Sequence, residues 1–131
     1  MNKTLKEIYG WELDKNPQTS LIKDVNEVLG KTPEELDTHD INMLIRQGFF
    51  LDLAIPKAIE MIEKNHAVGD YYEYCMLVNL SKIEAPLSKY KEKITNLIAL
   101  LKKDHDHIDF ESKRIEERYL DSIERLKKKI Q

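Results

Sequence analysis

The densest run of chemistry-capable side chains is Asp104-His105-Asp106-His107-Ile108-Asp109, where carboxylates and imidazoles that could hold a cation crowd together. The spacing argues against a metal. Helical ligand pairs need donors three or four residues apart to share a face, and His105 and His107 are two apart. A polar joint between two helices, with one Asp capping the second, explains the run without a metal. His39 and His66 fall in predicted turns and are expected to face solvent. Cys75, within Tyr74-Cys75-Met76-Leu77, reads as a small buried hydrophobe in a helix interior and not as an armed nucleophile. Neither a Gly-x-Ser-x-Gly elbow nor a phosphate-cradling Gly-rich loop occurs. The expectation is therefore no enzyme, no catalytic residue, no metal, no cofactor and no small-molecule substrate.

Two acidic groups stand out. Glu34, Glu35, Asp37 and Asp40 cluster around a helix start, where acids complement the positive end of the dipole. The capping logic favours that structural role for them, with partner contact as the other reading. Asp70-Tyr71-Tyr72-Glu73-Tyr74 interleaves carboxylates with tyrosines, and here two readings stay open. The tyrosines could face a core, or the group could form an interface in which Tyr supplies rigid apolar area and the acids answer a partner's Lys or Arg.

Charge is uneven. Residues 1–85 carry 9 Lys and Arg against 15 Asp and Glu, whereas residues 86–131 carry 12 against 9, within a net charge of −3. An acidic front half suits a basic partner, because complementary fields speed encounter. The basic residues Lys102, Lys103, Lys113, Arg114, Arg118, Arg125, Lys127, Lys128 and Lys129 alternate with Glu111, Glu116, Glu117, Asp121 and Glu124. Mixed signs at helical spacing read as a solvated face, so direct nucleic-acid binding is not expected.

The positioning elements are all helical. Thr4-Leu5-Lys6-Glu7 has the form of a capping box, followed by Leu5, Ile8 and Tyr9 on one side and a stop at Gly10. Thr19 or Ser20 caps a helix carrying Leu21, Ile22, Val25, Val28 and Leu29, ended by Gly30. Thr32-Pro33-Glu34-Glu35 starts a short turn of helix, and Thr38 is expected to cap the next, which Gly48 interrupts. The apolar run Phe49–Ile55 should cross the core and break or kink before Pro56. Asp70 is expected to cap a helix from Tyr71 to about Ile83. Two long amphipathic helices follow, one from Leu87 to about Lys103 and one carrying Ile108, Ile115, Tyr119, Ile123, Leu126 and Ile130. They should join near Asp104–Asp109 as an antiparallel hairpin. No period-two strand pattern occurs. The prediction is an all-α, single-domain compact bundle of about six to eight helices over 1–131. With no signal-peptide core in Met1–Glu7 and no membrane-length apolar run, a cytoplasmic location without membrane contact is expected.

Several of these pieces occur in a recognisable order: Thr4-Leu5-Lys6-Glu7, Leu21-Ile22 with Val25-Asn26, Leu36-Asp37 with Asp40-Ile41, Leu44-Ile45-Arg46-Gln47, Ala54-Ile55-Pro56-Lys57-Ala58-Ile59-Glu60, and Gly69-Asp70-Tyr71-Tyr72-Glu73. This order resembles the helical family of contact-dependent growth inhibition immunity proteins over about residues 3–85, with 86–131 as a helical extension. Where that family commonly continues Gly-Asp-Leu-Leu, this chain has Tyr74-Cys75-Met76-Leu77. The resemblance implies a cytoplasmic protein that binds and neutralises the C-terminal domain of a cognate delivered toxin, often a basic nuclease. Asp70, Tyr71, Tyr72, Glu73 and Tyr74, with Glu34, Glu35, Asp37 and Asp40, are the interface candidates. A helical nucleic-acid-binding regulator using the terminal basic helix is the alternative, and a hydrolase built on His105–Asp109 a third.

Overall fold

A computed structural model describes residues 3–131; Met1 and Asn2, which open the stretch read for a signal sequence, lie outside the described residues. The chain is all-α. Among the described residues seven α-helices follow one another: α1 (Leu5–Tyr9), α2 (Ser20–Leu29), α3 (Thr38–Gln47), α4 (Leu51–Lys64), α5 (Cys75–Ser81), α6 (Lys91–His105) and α7 (Lys113–Lys129). Short 3-10 turns occupy Pro33–Glu35 and Ser88–Tyr90, and no strand occurs among the described residues. None of their helices is long and apolar enough to cross a membrane. Two compact units divide at Asp40/Ile41.

In the first unit several predicted start and stop signals act as read, although Gly30 ends α2 at φ −83° and not in the left-handed conformation expected of it. Thr4 and Glu7 form the reciprocal capping box of α1, and Gly10 closes it at φ +67°. Leu5 is buried on the side where α1 meets α2, whereas Ile8 points outward. Thr19 caps α2 through its hydroxyl, which accepts from the Ile22 amide at 3.2 Å. The cap of α3 differs from expectation: Asp37, not Thr38, takes it. Asp37 Oδ1 accepts the Asp40 amide at 2.9 Å and Asp40 Oδ2 accepts the Asp37 amide at 3.1 Å. A carboxylate one residue earlier satisfies a first-turn donor and receives its own in return, which the Thr38 hydroxyl would not do.

The second unit packs α4 on α5 and α6, and α7 on α5 and α6. The break expected before Pro56 does not occur, because α4 runs from Leu51 to Lys64 with Pro56 inside it. Ala54, Ile55, Ala58, Ile59 and Ile62 are buried on either side of it. Burying an Ile contributes about 1.5–3 kcal/mol, so together they outweigh the ~3 kcal/mol cost of an interior proline. The run before it is less central than predicted, with Phe50, Ala54 and Ile55 buried but Phe49, Leu51 and Leu53 only half-buried, as one face of a helix requires.

Helices α6 and α7 are antiparallel: His105 meets Glu116 near one end, Tyr119 donates to the Leu101 carbonyl, and Ile98 lies beside Lys127. Their joint sits later than predicted. Helix α6 holds through His105, and α7 starts at Lys113 under a Ser112 cap whose hydroxyl accepts the Ile115 amide at 3.2 Å, so no Asp caps it.

Candidate partner-binding surface

The tyrosine group does not lie on a helix. Asp70 is not the cap of α5, which begins only at Cys75, after Tyr74 at φ +65°. Gly69 explains the delay. A Cβ there would sit 2.1 Å from the Tyr72 carbonyl and 2.7 Å from Cys75 Cβ, so the backbone folds back on itself in a way open only to glycine. The Tyr74 amide then donates to Ala67 O at 3.0 Å and the Met76 amide to Val68 O at 3.3 Å, which fixes the turn against the chain entering it.

Two side chains anchor this turn from below. Tyr74, 5% exposed, packs edge-on against Tyr119 with centroids 5.4 Å apart and against Phe110 at 5.7 Å, and His105 lies 6.0 Å from Tyr119. Burial pushes the phenols of Tyr74 and Tyr119 up from their ordinary value. Cys75 Sγ accepts from Asn42 Nδ2 at 3.1 Å, and Asn79 Nδ2 donates to Asn42 Oδ1 at 2.8 Å. Burial raises the thiol, but bonds from Asn42 and the backbone amides of Asp70, Tyr71 and Tyr72 outweigh it and leave it below its usual value. Cys75 is thus a buried acceptor organising the turn, at the first position of α5 and not in a helix interior.

Anchored in this way, the turn presents its other residues outward. Tyr71 is 65% and Tyr72 42% exposed, and Asp70 and Glu73 are exposed beside them. Arg46, near the end of α3, lies over the Tyr71 ring at 5.1 Å, and Arg118 of α7 over the Tyr72 ring at 4.5 Å. Each stack contributes about 0.5–1 kcal/mol at an exposed site and helps hold its ring, and the Tyr72 hydroxyl is in addition hydrogen-bonded to Cys75. A hollow of about 420 Å³ opens next to Tyr72, lined by Val78, Lys82, Arg114, Glu117, Arg118, Asp121 and Arg125. The sequence carried a signal for it that the charge reading passed over: Arg114, Arg118 and Arg125 recur at i, i+4 and i+11, on one helix face.

The first acidic group is engaged within its own unit. Glu35 accepts the Thr32 amide at 2.9 Å, and this bond holds its carboxyl below the usual range. Asp40, 4% exposed, receives Lys31 Nζ at 2.7 Å, while Asp37 is held low by the Asp40 amide. Glu34 is exposed. The His-Asp run is dispersed among protein partners. Asp104 bonds His66 Nε2 at 2.8 Å, and His105 bonds Glu116 at 2.8 Å. His66 is therefore largely buried and not solvent-facing, its Nδ1 lying 2.6 Å from Ile62 O, while His39 is exposed in the first turn of α3. Among the described residues no group of three or more His, Cys, Asp or Glu could hold a metal ion.

No curated protein and no solved structure matches the chain significantly. The sequence model of the family described as CDI immunity proteins matches residues 7–98, which takes in the tyrosine turn and leaves α7 outside. With more than half its length matched, the chain belongs to the family of CDI immunity proteins.

Proposed function

We propose that this chain protects its host cell by stoichiometric association with the C-terminal domain of a cognate toxin, through the surface centred on Tyr71 and Tyr72. The observation that carries the reading is the pair of exposed tyrosines, each braced by an arginine on a glycine-dependent turn. Rigid aromatic rings held before the partner arrives lose little entropy on binding, and Tyr and Arg are the residue types that dominate interface energetics. Asp70 and Glu73 flank the rings and set charge preference. Tyr74 supports the surface from beneath, and Glu34, Glu35 and Asp37 are secondary contact candidates, whereas Asp40 is buried against Lys31.

The excess of acids over residues 1–85 supports a basic partner, and a nuclease domain has that character, since it must attract phosphates. Inhibition is then obstruction by a folded body, without catalysis, metal or cofactor, in the cytoplasm where the toxin acts. No contact with membrane, small-molecule substrate or nucleic acid is required.

Co-purification of the chain with the toxin domain encoded beside it, together with protection of cells expressing that domain, tests the reading. A stable complex and survival are expected, and neither appearing would overturn it. Charge reversal of Asp70 and Glu73 together should weaken protection while helical content stays intact; undiminished protection would remove those residues from the contact.

A further inference from the structure

The chain has 21 basic residues, of which only Arg46, Arg114, Arg118 and Arg125 are arginines. All four gather around the tyrosine turn. Arg46 and Arg118 stack on Tyr71 and Tyr72, while Arg114, Arg118 and Arg125 line the hollow beside Tyr72. Lysine serves everywhere else, which is the choice expected of a solvated face. Arginine differs by its planar fork, which stacks on rings and grips a carboxylate or phosphate with two parallel bonds. Its segregation to one place points to recognition with defined geometry.

The forks are not consumed internally. Glu117 and Asp121 line the same hollow, yet among the described residues no ion pair joins Arg114, Arg118 or Arg125 to a carboxylate. Four cations, Lys82 included, face two carboxylates there, so the hollow has a positive balance.

We propose that this hollow is an anion-receiving subsite of the partner surface, and that it takes the side-chain carboxylate of an Asp or Glu presented by the toxin domain. The inference rests on the reading that the tyrosine turn contacts that domain. Arg118 is the positioned element, because Tyr72 holds its guanidinium over the ring, 4.5 Å from the centroid, at the edge of the hollow. Glu117 and Asp121, with Asp70 and Glu73 close by in the turn, oppose a continuous phosphate chain but tolerate one carboxylate seated in a fork. Helix α7 lies beyond the family-matched residues 7–98, so this subsite is the part of the surface that would select one toxin over another.

The test is titration calorimetry of the full chain with the neighbouring toxin domain. The Arg114→Glu/Arg118→Glu/Arg125→Glu variant should bind about 100-fold more weakly, and Arg118→Lys, which keeps the charge and loses the fork, about tenfold. Should the triple variant misfold, Arg114→Ala/Arg125→Ala leaves the Tyr72 stack in place and should still weaken binding about tenfold. Reversal of one toxin carboxylate to Lys that restores affinity only to the triple variant would identify the matching residue. Unchanged affinity of the arginine variants in an intact complex overturns the subsite and leaves the immunity reading standing. Salt-sensitive binding of a short single-stranded RNA by the wild-type chain, lost in the arginine variants, makes the hollow a phosphate site and overturns the carboxylate assignment. Failure of the wild-type chain to bind the toxin domain overturns both.

Discussion

Arg118 of α7 covers the ring of Tyr72 at 4.5 Å, so the last helix of the chain stiffens a turn that belongs to the family-matched part. Truncation by Tyr72→Ala removes a ring that is 42% exposed and whose hydroxyl is hydrogen-bonded to Cys75. Its thermal midpoint should fall by several degrees, since the lost stack contributes about 0.5–1 kcal/mol and the lost bond to Cys75 about 0.5–1.5 kcal/mol. Toxin affinity should fall by about 2 kcal/mol or more, the range of a central aromatic contact. Paired calorimetry and thermal melts separate the two, and a variant that binds like wild type would remove Tyr72 from the interface.

The Gly69→Ala variant places a methyl group 2.1 Å from the Tyr72 carbonyl oxygen and 3.0 Å from the Cys75 backbone nitrogen, so the backbone of the turn must shift to admit it. A destabilisation of about 1–3 kcal/mol is expected, with disturbed near-ultraviolet signals from the tyrosines around the turn. Chemical denaturation checks it, and a wild-type midpoint would show that the turn can open without cost.

Alkaline pH should unfold the protein through its buried phenols. Tyr119 and Tyr74 titrate above their ordinary value of about 10 because burial disfavours the phenolate. The unfolded chain therefore gives up these protons first, so the stabilisation is complete below about pH 10 and is lost as pH rises through the folded values. Tyr119→Phe should be less stable than wild type near neutral pH by about 0.5–1.5 kcal/mol, for loss of its bond to the Leu101 carbonyl. Its stability should also decline less steeply between about pH 10 and pH 12, as read from denaturant midpoints.

At the acid end the reciprocal pair at the start of α3 has the opposite sign. The Asp40 amide keeps the Asp37 carboxyl below its unfolded value, so the stabilisation is present above about pH 4 and disappears as pH falls through the folded value. Asp37→Ala should cost about 0.5–2 kcal/mol near neutral pH, the range of a lost helix cap, with the difference shrinking on acidification. Thr38→Val should cost far less, and the reverse order would restore Thr38 as the cap.

Residue order alone determined the local decisions of this chain. Thr4 with Glu7, Thr19, Gly30, Pro33 and Gly48 start or stop helices through bonds and dihedrals that involve only a few neighbouring residues, and those outcomes appear where the spacing puts them. The stripes of α6 and α7 were legible for the same reason, since a period of three to four names its own buried face. Tertiary structure decided everything that depended on partners distant in sequence. Pro56 stays inside α4 because burial on both flanks outweighs a missing hydrogen bond, and His66 is drawn inward by Asp104, 38 residues away. The tyrosine turn shows the division most sharply. Its residue types were readable either as core or as an interface, but Gly69 met backbone only after folding, and Arg46 and Arg118 reached the rings from two other helices. Periodicity registers what one helix needs; it carries no term for which helix will stand opposite, and that is where the arginines acquire their place.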